Sequence, residues 1–167
     1  MPGVKFKYPD ETKVFPKLVA AVNALCEAKG KSCTCTSGYR SLAKQKKINA
    51  EKLAESRYNY QKANGAVYNK NGQCIAAEFG MSNHCYCIAM DIPDEWFKEL
   101  SKPELKKFGL DRPMSYEPWH VQLLEHKKLT LDQKIKIRNS VLYGKKEESL
   151  IDKTNIGTPK ERNTDRS

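Results

Sequence analysis

Three short segments hold the residues of this chain whose types and spacing suit chemistry: SGYRS at Ser37–Ser41, SNHCYCIAMD at Ser82–Asp91 and EPWHVQ at Glu117–Gln122. His84, Asp91 and His120 can together supply three ligands to a Zn²⁺ ion, and a second carboxylate, Glu117, lies three residues before the last of them. Zinc held by three protein groups keeps its fourth position for water, which separates a hydrolytic site from a structural one. The metal lowers the pKa of that water towards about 7, and a nearby carboxylate can then take its proton. These residues predict a metal-dependent hydrolase with Glu117 as general base.

The spacing also constrains the path of the chain. His84 and Asp91 are seven residues apart, so on one flat strand they face opposite sides, and sharing a metal requires a turn or bulge between them. Asp91 sits among Ile88, Ala89, Met90 and Ile92, where a buried carboxylate is costly unless paired or metal-bound. The alternative is that Asp91 caps a helix beginning near Pro93. Pro118 pushes Glu117 into an extended conformation, which sets this segment apart from the helical His-Glu-x-x-His arrangement. Glu117 is then expected on the loop entering a strand, with His120 just inside it. By default Trp119 reads as a core residue and His126 as an ordinary core or surface histidine.

The order Ser-Gly-Tyr-Arg, then Ser-x-His-x6-Asp, then Glu-x-x-His resembles the zinc D-alanyl-D-alanine carboxypeptidases and related peptidoglycan endopeptidases. That group includes bacteriophage lysins and virion muralytic enzymes. Its superfamily also takes in lysostaphin-type peptidases and the Hedgehog amino-terminal domain. The resemblance runs from about Thr36 to Leu124, and its three segments are specific in their order rather than singly. It implies that Arg40 binds the substrate carbonyl and stabilises an oxyanion, a task suited to a fixed guanidinium. It implies further that Gln45 holds the substrate's terminal carboxylate, that Ser82 hydrogen-bonds substrate and that Trp119 lines the site. Set against these are a surface salt bridge for Arg40 and a plain helix-surface position for Gln45. The family normally places a glycine three residues after the first histidine, where this chain has Cys87. Cysteine does not adopt positive φ cheaply, so either the local path differs or the Cys87 thiolate competes for metal.

The elements that must position these residues follow from local signals. Residues 16–29 read as an amphipathic helix, with Pro16 in its first turn, a stripe of Leu18, Val19, Val22, Leu25 and Cys26, and Gly30 as its stop. A short strand is expected over residues 32–37, leading into Gly38-Tyr39-Arg40. Ser41 caps a second helix to about Glu55, and residues 59–71 form a loop or irregular hairpin. Residues 85–92 alternate as a strand would. Asp94 caps a short helix with Trp96, Phe97 and Leu100; Pro103–Phe108 adds a turn or two; Val121 and Leu123 mark a last core strand. Residues 130–143 form a basic helix stopped by Gly144. The expected class is α+β, with amino-terminal helices packed on a small antiparallel sheet that carries the zinc site. A catalytic domain over residues 1–126 is followed by a basic helix and disordered tail over 127–167.

Composition bounds the rest. The chain has 167 residues, net charge +10 and a mean hydropathy of −0.73. No run approaches the 18 or so apolar residues a membrane helix needs. The start, MPGVKFKYPDETKVF, has no apolar h-region, so a protein made in the cytoplasm would reach the wall by holin-dependent release, in a phage particle or by another route. The expected partners are peptidoglycan stem peptides and, through the basic segment at residues 127–146, anionic envelope polymers. A monomer is expected. The competing classes are a non-catalytic zinc-stabilised binding module and, resting on charge alone, a nucleic-acid-binding protein. The six cysteines lack Cys-x-x-Cys spacing. Both Cys-x-Cys pairs would put two sulfurs on one strand face, and free buried thiols compete with disulfides or a second metal site as the reading.

Overall fold

The chain opens on an unforeseen element. In the computed structural model, which describes residues 2–78 and 80–144, Val4–Phe6 forms strand β1, and the first long helix, α1, follows at Pro16–Lys29. β1 pairs in parallel with β2, Cys33–Cys35, and the Val4 amide is satisfied by Asn23 Oδ1 of α1 at 2.9 Å. α1 begins on Pro16, whose missing N–H costs nothing at a first-turn position, and ends on Gly30 at φ 65°, whose N–H reaches the carbonyls of Cys26 and Glu27. Its buried stripe is Leu18, Val22, Leu25 and Cys26, and each fully buried leucine contributes about 1.5–3 kcal/mol.

Helix α2, Leu42–Ala54, is capped by the Ser41 hydroxyl, which accepts from the Lys44 amide. It covers a small antiparallel sheet of β3, Tyr60–Gln61, β4, Val67–Tyr68, and β5, Cys74–Ala76, where the sequence suggested only a loop or irregular hairpin. The buried side chains of α2 are Gln45 and Asn49, so this helix docks through amides rather than through an apolar stripe.

The second antiparallel sheet carries the chemistry. β6, Met90–Asp91, leads into α3, Glu95–Lys98, and α4, Lys102–Lys106; β7, Leu110–Asp111, and β8, His120–Leu123, complete the order β6–β8–β7. Its Met90, Val121, Leu110 and Leu123 join the α1 stripe, Cys33, Cys35, Phe97 and Leu105 in one core. The fold is α+β, as the sequence suggests, with a parallel strand pair added to the expected antiparallel sheet. Asp94 stands at the N-terminus of α3, but its carboxylate accepts from the Thr34 amide instead of capping the helix.

A second expectation fails. Residues 85–92 do not form a strand: Asn83–Tyr86 is a turn of 3₁₀ helix, and only Met90–Asp91 is extended. Residues 85–90 are all buried, so apolar alternation there carried no directional information. The Ser82 hydroxyl accepts from the His84 amide at the start of the turn, and Cys87 closes it at φ 66°, with the Ile88 amide returning to the Asn83 carbonyl. Cys87 is the one non-glycine residue with positive φ among those described, a conformation that glycine adopts more readily. Its side chain is fully buried, and that burial pushes its thiol up to about 12. All six cysteines carry free thiols, with Cys26 and Cys33 in sulfur contact at 3.5 Å.

A left-handed Cβ costs about 1–2 kcal/mol. Cys87→Gly is therefore expected to unfold at higher denaturant than Cys87→Ala, by about 1 kcal/mol, reversing the usual ranking of alanine over glycine. Chemical denaturation of the two variants measures this, and an alanine variant equal to or ahead of glycine contradicts the strain.

Helix α5, Leu131–Tyr143, starts on a capping box of Thr130 and Gln133. Its Ile135 and Ile137, with Leu129 and Phe15, pack against Cys85, Tyr86 and Ile88, so the helix braces the turn that carries His84. The tail expected to be disordered lies, from residue 145 onward, outside the described residues.

Candidate metal centre

Strand register brings two of the three candidate ligands together. Asp91 on β6 is the direct cross-strand partner of His120 on β8, and Ser37 at the end of the β2 segment pairs with Asp91 from the other side. The 3₁₀ turn with its left-handed exit supplies the reversal that the seven-residue spacing demands, swinging His84 onto the same carboxylate. Asp91 Oδ1 lies 3.1 Å from His84 Nε2 and 3.4 Å from His120 Nδ1. The three ligand atoms all fall within 4.8 Å of one another. No second such group of histidine, cysteine or acidic side chains exists among the described residues, and Cys87 is not part of this one. Asp91 makes no side-chain cap to the following helix.

The hydrogen bonds on the far side of each ring test whether a cation belongs here. His84 Nδ1 is 2.9 Å from the Gly38 carbonyl, and His120 Nε2 is 3.3 Å from Gln122 Oε1. Both partners are acceptors, so each ring can donate outward and offer its other nitrogen, which in the absence of an ion hydrogen-bonds to Asp91, to a cation. In that tautomer two ring nitrogens and a carboxylate converge on one point as acceptors, an arrangement that a cation satisfies. Two imidazoles and a carboxylate with outer acceptors fixing the tautomers are a donor set that fits Zn²⁺.

Without an ion, the three groups hold one another through charge and hydrogen bonds. Burial works to raise the Asp91 carboxyl, but His84 and the hydrogen bonds of both histidines outweigh it and hold the group well below the usual carboxylate range. Burial drives His84 towards its neutral form against the pull of Asp91. Burial pulls His120 down as well, yet the bond and charge of Asp91 win and raise it. Glu117 is raised by burial, opposed by His120. A carboxylate raised in this way is the stronger base. Its Oε1 lies 4.0 Å from His120 Nδ1, at the edge of the cluster and outside the ligand group.

Arg40 lies partly buried beside these groups, its side chain 11% exposed, and is no surface ion pair. Its guanidinium donates to Gln45 Oε1 at 2.8 Å and to Ser37 Oγ at 2.6 Å, and lies 3.8 Å from Asp91 Oδ2. Its backbone amide is held by the His84 carbonyl at 3.0 Å. Gln45 is fully buried, its amide donating to Asn49 Oδ1 and the Ala77 carbonyl. Ser82 is buried next to His84. Trp119, read by default as core, is 36% exposed beside Glu117 and His120, because its backbone rather than its ring ties it to Ile92. His126 is core, its ring 5.2 Å from that of Phe15.

Residues 11–110 match the model of the VanY D-alanyl-D-alanine carboxypeptidase family, a span of 100 of the 167 residues. The chain belongs to the VanY family. Membership makes it a peptidoglycan hydrolase of the D-alanyl-D-alanine carboxypeptidase type, from a metal-dependent family, and the His84–Asp91–His120 group is where an ion can be held. The match to VanY stops before Glu117 and His120, so β8 and its loop enter through geometry alone. No curated protein matches the chain. No helix among the described residues of this VanY member is long and apolar enough to cross a membrane.

Several residues around the site escaped sequence reasoning. Gln122 had a usable signal, standing two residues beyond His120 on an alternating strand. Asn83 supports it, donating to Gln122 Oε1 at 2.9 Å. Asn49, four residues after Gln45 on one helix face, ties α2 to the Gly65 and Ala77 carbonyls at 2.6 and 2.9 Å. Glu11 had no signal at all, and is buried against Gly38 from 27 residues away.

Proposed function

We propose that this protein is a zinc-dependent carboxypeptidase that removes the terminal D-alanine from peptidoglycan stem peptides. The observation that carries the reading is the convergence of His84 Nε2, Asp91 Oδ1 and His120 Nδ1 with both outer ring nitrogens already hydrogen-bonded. A zinc ion held there would supply a water of lowered pKa and a Lewis acid for the scissile carbonyl. Glu117, half-buried at the mouth of the group, takes the proton from the attacking water and returns it to the leaving amine. Arg40, locked by Gln45 and Ser37 and drawn towards Asp91, sets a fixed positive charge for the developing oxyanion. We assign Gln45 to brace that guanidinium, since all its polar atoms have protein partners, and Ser82 and Trp119 to contact the substrate.

Mass spectrometry of digested sacculi tests this. Pentapeptide stems are expected to lose their terminal D-alanine, a chelator to stop the loss and added zinc to restore it. Cleavage within cross-links would make the enzyme an endopeptidase, and no metal-dependent release would make the protein a binding module. The lysin or virion-associated role expected from the sequence belongs to the same proposal, and lysis of susceptible cells by added protein tests it.

A further inference from the structure

The outer partner of His84 is a backbone carbonyl, and a carbonyl orients a ring only as well as its own peptide is held. The Gly38–Tyr39 peptide whose oxygen faces His84 Nδ1 is gripped from behind by Glu11. The Tyr39 amide of that peptide donates to the Glu11 backbone carbonyl at 3.1 Å, and the neighbouring Gly38 amide donates to Glu11 Oε1 at 2.9 Å. The other carboxylate oxygen of Glu11 is ion-paired with Lys44 of α2, whose ammonium also lies 5.1 Å from the centre of the Tyr8 ring. Glu11 is 2% exposed, so both oxygens are engaged inside the protein. The packing leaves no slack: a Cβ on Gly38 would stand 2.2 Å from the Glu11 carbonyl oxygen and 3.0 Å from Val14 Cγ2. Such separations exclude any side chain at residue 38 without moving backbone. That accounts for the glycine of the Ser-Gly-Tyr-Arg segment through close approach, not through backbone dihedrals.

We propose that Glu11 is a positioning residue for the metal centre: its carboxylate, held by Lys44, grips the Gly38 amide, and through Gly38 it fixes the carbonyl that orients a metal-bound His84. The path is continuous, from the Lys44 ammonium through the Glu11 carboxylate, the Gly38 amide and the Gly38 carbonyl to His84 Nδ1, with Nε2 facing Asp91. Outer partners of metal-bound imidazoles typically alter metal affinity by about 10- to 100-fold when removed. Glu11 acts one peptide further out, so the lower end of that range applies. The inference rests on His84 being a metal ligand, as proposed above.

Zinc affinity of the full chain, measured by competition with a chromophoric chelator, tests it with wild type, Glu11→Ala, Glu11→Gln and a His84→Ala control. Glu11→Ala is expected to bind zinc about tenfold more weakly. Glu11→Gln keeps an oxygen for the Gly38 amide and is expected to recover most of the loss. In the zinc-loaded protein, ¹H–¹⁵N spectra are expected to show the His84 Nδ1 proton protected from exchange in wild type and exchanging faster in Glu11→Ala. A residue that only stabilised the fold would lower the unfolding temperature and leave that pattern and the affinity unchanged, which would overturn the proposal. If Glu11→Ala does not fold, Glu11→Asp replaces it: the shorter carboxylate withdraws from Gly38, and unchanged zinc affinity in that variant overturns the proposal equally. If His84→Ala binds zinc as wild type does, the metal-site reading falls and this inference with it. If the control loses zinc and the Glu11 variants do not, only the role of Glu11 is wrong.

Discussion

Asp91→Ala is expected to lose zinc by more than about 100-fold and hydrolysis with it, while the metal-free protein stays folded. The expectation on affinity follows from position: the carboxylate lies between His84 Nε2 and His120 Nδ1 and is the one negative group in the cluster. Loss of an outer partner already costs about 10- to 100-fold in affinity, so loss of a ligand costs more. The expectation on folding comes from the backbone. Asp91 contributes its amide to the Ser37 carbonyl and its carbonyl to the Thr36 amide, each at 2.9 Å, and alanine keeps both bonds. It also removes a buried charge whose partners, in the absence of metal, are two histidines and an arginine. Zinc titration and thermal unfolding under chelation measure the two halves separately. Retained zinc with a collapsed unfolding temperature would mean that Asp91 is a structural residue.

The same residue illustrates what a sequence conveys about such a site. The identities of His84, Asp91 and His120 were legible because few side chains bind metals and their order matched a known pattern. Their convergence was legible only as a requirement, since a seven-residue spacing demanded a turn that no local signal located. Ser82 capping the 3₁₀ turn and Cys87 in the left-handed region meet that requirement. Cysteine conceals the turn that a glycine would have announced. Long helices were readable because they advertise their ends: Pro16 and Gly30 bound α1, and Thr130 with Gln133 opens α5. The strands Val4–Phe6 and Leu110–Asp111 were not, because two or three residues cannot display a period.

Polar burial hid more than brevity did. Helix α2 is rich in lysine and reads as a solvated surface helix, yet Gln45 and Asn49 are its buried face, satisfied by Arg40 and by the Gly65 and Ala77 carbonyls. A buried amide is recognisable only once its partners are known, and those come from Arg40, Gly65 and Ala77 just past β5. Glu11 is the extreme case. Its carboxylate is stable inside the protein because Lys44 and the Gly38 amide surround it, a circumstance that no window of sequence contains.

Glu117→Gln is expected to keep zinc near wild-type affinity and to lower kcat by at least about 10²-fold, the usual scale for a positioned general base. Glutamine preserves size and one acceptor oxygen but does not take a proton at neutral pH. The residue stands apart from the ligands: its oxygen is 4.0 Å from His120 Nδ1, whereas Asp91 is within 3.4 Å of both rings. Metal binding is therefore expected to survive the change. Burial raises its carboxyl, with His120 and Arg40 pulling in the other direction, and the net rise strengthens it as a base. KM is expected to move far less than kcat, since a group that acts on the attacking water contributes little to holding the ground-state peptide. Steady-state kinetics on a soluble pentapeptide, run beside a zinc titration, separate the possibilities. Turnover close to wild type would remove Glu117 from the mechanism, and a large fall in zinc affinity would make it a fourth ligand that closes the position needed for water.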